Sequence, residues 1–292
     1  MIERPISDDI TLEDLQVANR QLITCGATIA EINSVRRCFS AVKGGGLATP
    51  LSDTEFITFI ISDTNDGDES SVGSGPTLPA DVDAPEPLQV LESHGLIRTL
   101  PPSILQAIRE YKKVDARRAF SPFYILLDNS VALDAAAKRA AQMDLWTQFA
   151  IDIVEQPIDE GAVQLVNRAL EAKVPGSVLI SGGEFSCGVS GNGRGGRNLE
   201  TVLRSAIRLS EVEPTTPTVV LSAGTDGIDG SSFAAGAIAD ETTVSRAREL
   251  EMDPNDFLAR SDSHAFFEAL GDLIVTGPTG TNVRDLRIVL TA

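Results

Sequence analysis

The sequence predicts an α/β fold, two layered α/β domains with largely parallel sheets, and three observations lead there. Short apolar runs such as Phe56-Ile57-Thr58-Phe59-Ile60-Ile61 and Thr218-Val219-Val220-Leu221 are β-branched and lack alternation, as strands covered on both faces would be. Between such runs lie segments of helical period, and strands alternating with helices make parallel sheets. Polar, glycine-rich loops follow the strands, the place where open α/β sheets hold ligands.

Residues 11–40 open the chain as two helices, because Thr11 with Asp14 and Thr28 with Glu31 are capping-box pairs on either side of Gly26. A strand over 56–61 ends at Ser62-Asp63. Residues 64–87, rich in Gly, Asp, Ser and Pro, read as one long loop. Next come a helix at 103–111, a strand at 123–127, a helix at 130–143, a strand at 149–154 and a helix at 158–172. Pro175-Gly176 marks a domain boundary, which divides the chain into residues 1–173 and 174–292. Strands at 177–180, 218–221 and 273–275 follow, with helices at 198–209, 241–250 and 263–270.

The chain has 292 residues, 42% of them hydrophobic, enough for a substantial core. A net charge of −18 opposes nucleic-acid partners, which need Lys/Arg stripes against phosphates. Lys43, Lys112, Lys113, Lys138 and Lys173 are the only lysines, and the excess of Asp and Glu is the composition expected of a protein hydrated in a high-salt cytosol. Cys25, Cys38 and Cys187 show no metal spacing and predict buried thiols in a reducing compartment. Two histidines exclude a multi-histidine metal site. No basic-then-apolar leader and no membrane-length apolar run is present, so the expected location is cytoplasmic, with no membrane partner.

The loops carry the candidate chemistry. In residues 191–198, Gly191-Asn192-Gly193-Arg194-Gly195-Gly196-Arg197-Asn198, glycine would free backbone N–H groups to face an anion at a helix N-terminus, and Arg194 and Arg197 add charge suited to phosphate. The alternative is a flexible turn with solvated arginines. Residues 222–230 put Asp226 where it could act as base for a substrate hydroxyl and Asp229 where it could hold Mg²⁺; the alternative is that both make Asx turns. Thr276, Thr279, Thr281 and Asn282 either wrap phosphate or ribose or form a tight connection to the last strand. Lys43 is either a helix C-cap cation or a contact to a substrate anion. Neither His94 nor His264 has a hydrolase partner pattern, and His264 reads as structural.

These strings, in this order, resemble the glycerate 2-kinase family, whose C-terminal part is the MOFRL domain. They are Cys25 to Asn33 with Val35-Arg36, Ser40 to Ala48, Ser62-Asp63, Ser74-Gly75-Pro76-Thr77, Ser181-Gly182-Gly183-Glu184, the segment ending at Asn198, Ser222 to Gly230, and Thr276 to Asp285. The resemblance implies transfer of the ATP γ-phosphoryl group to the 2-hydroxyl of D-glycerate with Mg²⁺, in a cleft between a Rossmann-like N-terminal domain and a MOFRL-type domain. It implies Arg197 and Asp226 as catalytic residues. Gly182, Gly183, Glu184, Gly193, Gly195, Gly196, Asn198, Gly224, Thr225, Thr279, Gly280, Thr281 and Asn282 would bind the nucleotide, and Lys43, Asp63, Ser74 and Arg194 the substrate. Some relatives carry the label hydroxypyruvate reductase, but no NAD fingerprint occurs here. Two departures stand out. Relatives have a long stretch before the segment matching Ile10, with a Gly-Lys lysine thought catalytic, and Thr64-Asn65-Asp66-Gly67-Asp68 replaces a Val-Pro-Gly-Asp-Asp-like string. The first leaves the N-terminal domain incomplete, so the expectations are an active kinase, a truncated binder of nucleotide or sugar acid, or half of a split kinase. The partner would be a second copy or a complementing N-terminal chain.

Overall fold

The computed structural model describes residues 3–51, 53–65, 67–79, 83–112, 121–172, 174–212 and 214–292. Contacts divide the chain into two compact units, residues 1–60 with 64–126 and residues 61–63 with 127–292.

In the first unit, α1 (Leu12–Thr24) and α2 (Ile29–Cys38) start at the two expected capping boxes, with the Thr11 and Thr28 hydroxyls accepting the Asp14 and Glu31 N–H groups. Then come β1 (Thr58–Ile61), α3 (Pro87–Ser93), α4 (Pro102–Glu110) and β2 (Phe123–Leu127). Helix α3 begins where the long loop was expected to end, since a proline at the first helical position starts a helix as readily as it closes a loop. Leu22, Val35, Phe39, Leu91 and Ile104 make the core of this unit. Among the described residues, strands β1 and β2 pair only with each other. The bonds from Thr58 N–H to Pro122 C=O and from Ser62 N–H to Leu127 C=O advance together, so the pair is parallel. Phe59, Ile61, Tyr124, Ile125 and Leu126 are exposed, while Ile60, which points to the opposite face from its neighbours on β1, is buried.

The second unit contains α5 (Asn129–Ala141), β3 (Trp146–Phe149), α6 (Ile158–Glu171), β4 (Ser177–Ser181), α7 (Arg197–Val212), β5 (Thr218–Gly224), β6 (Gly236–Asp240), α8 (Thr243–Glu249), α9 (Pro254–Ala259), α10 (Ser263–Leu270), β7 (Leu273–Ile274) and β8 (Asp285–Thr291). Its six strands lie in the order β3-β4-β8-β5-β6-β7. The α/β class is as expected, but strand direction is not: only β3 and β4 pair in parallel, while β8, inserted between β4 and β5, and β6, between β5 and β7, run antiparallel to their neighbours. Strand β6 escaped notice because Gly-Ala-Ile-Ala-Asp is short and small. The contact division falls at 126/127 rather than at 173/174, because Trp146 to Phe149 pair with Ser177 to Ile180 and bind both sides of the Pro175 turn into one sheet. Lys173 lies outside the described residues.

Alternate strand residues cover the two faces of this sheet. Val178 and Ile180, with Leu286, Ile288 and Leu290, pack against α5. Leu179, Val220 and Val289 pack with α6 and the end of α7. The antiparallel register sets Gly224 opposite Asp285 and Ser181 opposite Arg287. The ends of β4 and β5 and the start of β8 therefore meet at one edge. Among the described residues, no helix is long and apolar enough to cross a membrane, and all three cysteines are unpaired.

Candidate active site

At that edge sits Arg197, the first residue of α7. Its Nε donates to Asp285 Oδ2 (2.7 Å), and its Nη2 donates to Asp285 Oδ1 (3.2 Å) and to Glu184 Oε1 (2.7 Å). The Asp285 side chain is 2% exposed, that of Arg197 36% and that of Glu184 32%. Burial opposes the charge on Arg197, yet the bonds and charge of Asp285 and the charge of Glu184 hold it above the usual arginine range. Among the described residues, Nη1 of Arg197 donates to nothing, so a fixed cation offers an open edge to solvent. Such a planar donor edge suits phosphate oxygens.

Asn198 ties this cation to the next loop. Its Nδ2 donates to Asp285 Oδ1 (2.9 Å) and Asp229 Oδ1 (3.2 Å), and its Oδ1 accepts from Ser222 Oγ (2.6 Å). Asp229 is buried, and its two oxygens accept the backbone N–H groups of Asn198 (3.0 Å) and Leu199 (2.8 Å). It caps α7 from a loop remote in sequence. The anion expected at this helix N-terminus is thus the chain's own carboxylate, and the N–H groups of Gly193 and Gly195 are likewise taken, by Arg260 C=O and Ser231 Oγ. A Cβ on Gly196 would come within 2.5 Å of Asp229 Oδ1, so this glycine lets the loop close over the cap. Asp229 does not fit as a Mg²⁺ ligand, because both its oxygens already serve the helix; nor do the described residues contain a cluster of three His, Cys, Asp or Glu side chains that could hold a metal. Burial pushes its carboxyl up to about 6, against the pull of the Leu199 and Asn198 donors.

The loop after β5 is braced by the one after β7. Thr225 Oγ1 donates to Arg284 C=O (2.7 Å) and accepts from Val283 N–H (2.8 Å), and Thr279 Oγ1 donates to Thr225 C=O (2.6 Å). Asp226 accepts Thr279 N–H at its carbonyl (3.0 Å) and Ile228 N–H at Oδ1 (3.1 Å), the Asx turn foreseen as its alternative. Gly227 is required between them: its φ is +86°, and a Cβ there would lie 2.0 Å from Gly277 O. Gly280 takes φ +78° at the tip of the bracing loop, while Thr281 N–H bonds Thr279 Oγ1. Asn282 Nδ2 reaches Asp63 Oδ2 at 3.5 Å. A Cβ on Gly224 would lie 2.9 Å from Asp226 Oδ1 and 3.6 Å from Asn198 Nδ2, so Asp226 and the residue after Arg197 flank one glycine.

Three expected substrate contacts are otherwise engaged. Arg194 pairs with Glu268 (3.3 Å) and lies over Phe233. Lys43, in the first unit, is buried against Glu3. Ser74, also there, bonds Asn33 Oδ1 (3.2 Å) and accepts Gly44 N–H at its carbonyl (2.9 Å). Two residues of the edge were missed in the sequence. Asn129, at the start of α5, accepts Gly183 N–H (2.9 Å) and donates to the carbonyls of Val283 (2.7 Å) and Asp285 (3.0 Å), occupying the space beside Gly182. Asp285 carries no local motif of its own.

Comparisons with known proteins cover both units of the chain. The MOFRL family model matches residues 177–285, and a domain of unknown function (DUF4147) matches residues 1–109. The D-glycerate 2-kinase of Thermotoga maritima is 32% identical over 311 residues, covering 99% of this chain and 69% of its own length. The chain belongs to the glycerate kinase family. That family membership places it among phosphotransferases. The crystal structure of a T. maritima glycerate kinase superposes with a TM-score of 0.83 at 31% identity, covering 100% of this chain and 70% of that one. Two Agrobacterium vitis proteins, provisionally named hydroxypyruvate reductase, are each 35% identical over 290 residues; the match covers 96% of this chain and 65% and 74% of theirs. The chain thus spans only part of the length of the glycerate kinases and their kin.

Proposed function

We propose that this chain transfers the γ-phosphoryl group of ATP to the 2-hydroxyl of D-glycerate, giving 2-phosphoglycerate and ADP. The observation that carries this reading is the likeness to a D-glycerate 2-kinase over 99% of the chain, and the edge of the sheet offers matching chemistry. In this reading, Asp226 takes the hydroxyl proton as the glycerate oxygen bonds to the γ-phosphorus, and the bond from that phosphorus to the bridging oxygen breaks to release ADP. The open edge of Arg197 stabilises charge on the transferred group. The loops with Gly182, Gly183, Gly224, Thr225, Thr279 and Thr281 line the nucleotide's approach. Magnesium accompanies the nucleotide phosphates, since Asp229 is committed to the helix. The acidic, lysine-poor surface suits a cytoplasm of high salt. Coupled detection of ADP in molar salt, with ATP, Mg²⁺ and D-glycerate, tests the reading; no ADP above the Asp226→Ala control would refute it.

A second reading is favoured by the exposed apolar residues of β1 and β2, Phe59, Ile61, Tyr124, Ile125 and Leu126. Here the chain binds nucleotide but turns over only when a further apolar polypeptide surface is laid over those strands. It predicts ATP binding without ADP formation by this chain alone.

A further inference from the structure

We propose that the two carboxylates on Arg197 have divided roles: Asp285 is a positioning residue that fixes the guanidinium, and Glu184 is a placeholder occupying the position that an incoming phosphate oxygen takes. The proposal rests on the kinase reading for its meaning, while its evidence is geometric.

Asp285 is held from several directions. Both its side-chain oxygens bond Arg197, Oδ1 also accepts from Asn198 (2.9 Å), its backbone N–H reaches Gly183 C=O (3.2 Å), and its carbonyl accepts from Asn129 (3.0 Å). Asn198 in turn is fixed by Ser222 and by Asp229. A carboxylate with this many partners and almost no exposure does not leave. It sets the plane of the guanidinium, as a buried partner does for a catalytic side chain.

Glu184 is placed differently. Among the described residues its carboxylate has Arg197 as its single hydrogen-bond partner, and a third of the side chain is exposed. Burial and the nearby negative charges of Asp285 and Asp63 push its carboxyl up, while Arg197 and Arg284 pull it down. With Glu184 in place, Arg197, Asp285 and Glu184 together carry an excess negative charge that repels a phosphate. Moving Glu184 aside leaves a neutral Arg197–Asp285 pair whose Nη1 and freed Nη2 hydrogen present a two-pronged edge. The contact to Glu184 is the weaker attachment and lies on the exposed side, so it is the one a phosphate can replace.

The test is calorimetric titration with ATP alongside steady-state kinetics. The variant E184Q, one third exposed at this position, is expected to bind ATP about tenfold tighter, because a neutral amide competes less well than a carboxylate for the Arg197 Nη2 hydrogen, and R197M is expected to cancel that gain. The variant D285N is expected to lower kcat about a hundredfold, with KM for ATP changed less than about threefold, because the cation is present but misaimed. Unchanged or weaker ATP binding by E184Q, or a gain that survives R197M, would overturn the placeholder role. A D285N variant that folds and keeps its kcat would overturn the positioning role. A parent chain that binds ATP without turnover would sink the kinase reading alone, and the division of roles would still be decided by the E184Q titration and by whether D285N weakens ATP's dependence on Arg197.

Discussion

Two cations in glycine-rich turns meet opposite fates in this chain. Lys43 follows α2, sits 3% exposed and spends its ammonium on Glu3. Arg197 opens α7 with two carboxylates on one side and an open edge on the other. The surrounding loops are equally rich in glycine, so loop composition does not separate a structural cation from a reactive one. What separates them is where the unused donors lie: the Lys43 ammonium is buried with its side chain 3% exposed, whereas the Arg197 side chain is 36% exposed and holds its unbonded Nη1 in the fixed fork of a guanidinium.

The largest expected effect breaks or keeps that contrast. Replacing Arg197 by Met should lower kcat/KM about a thousandfold, whereas Lys43→Met should act mainly on stability, read as a lower urea midpoint with turnover reduced less than about tenfold. Equal losses of turnover would erase the distinction. Next is the buried carboxylate beneath Arg197. Because burial raises Asp229 to about 6 from the ordinary 3.8, the native chain holds a proton between those values that the unfolded chain has released. The stability this group contributes is therefore fully present below about pH 3.8 and is lost as pH rises through about 6, by at most ~3 kcal/mol. Urea unfolding of the chain and of Asp229→Asn should show the parent's relative stability falling across that range; a difference independent of pH would mean that Asp229 is not so perturbed. Asp226→Ala should lower kcat about a hundredfold and leave ATP binding in place. The smallest effect belongs to Arg194→Ala, whose exposed pair with Glu268 is worth less than about 1 kcal/mol; a hundredfold rise in KM for D-glycerate would restore it to the substrate site.

Much of the fold was legible because its signals are local. The capping boxes at Thr11 and Thr28 are complete within four residues, and the apolar Thr218 run is a central strand. The direction of β8 was not legible, since its partners β4 and β5 lie far back in the chain. The strand expected at 149–154 forms at Trp146–Phe149 instead, because the chain turns at Ala150 to Ile153, with Ile153 N–H on Ala150 C=O, Ala150 and Ile153 in the core and Ile151 exposed. The site followed the same rule. Arg197 and Glu184 stood out in their glycine-rich strings, whereas Asp285 and Asn129 act on partners across long stretches of chain. Asp229 was noticed as a candidate Mg²⁺ ligand or an Asx turn, and its bonds to the start of α7 were not legible, since an aspartate before a glycine looks alike whether it awaits a metal or caps a distant helix.

The most direct test of the account is phosphorus NMR of a reaction holding the purified chain, ATP, Mg²⁺ and D-glycerate in molar salt. The account predicts a growing resonance that coincides with added 2-phosphoglycerate, matched by ADP and absent with Arg197→Met. No phosphate ester, or inorganic phosphate and ADP alone, would contradict it.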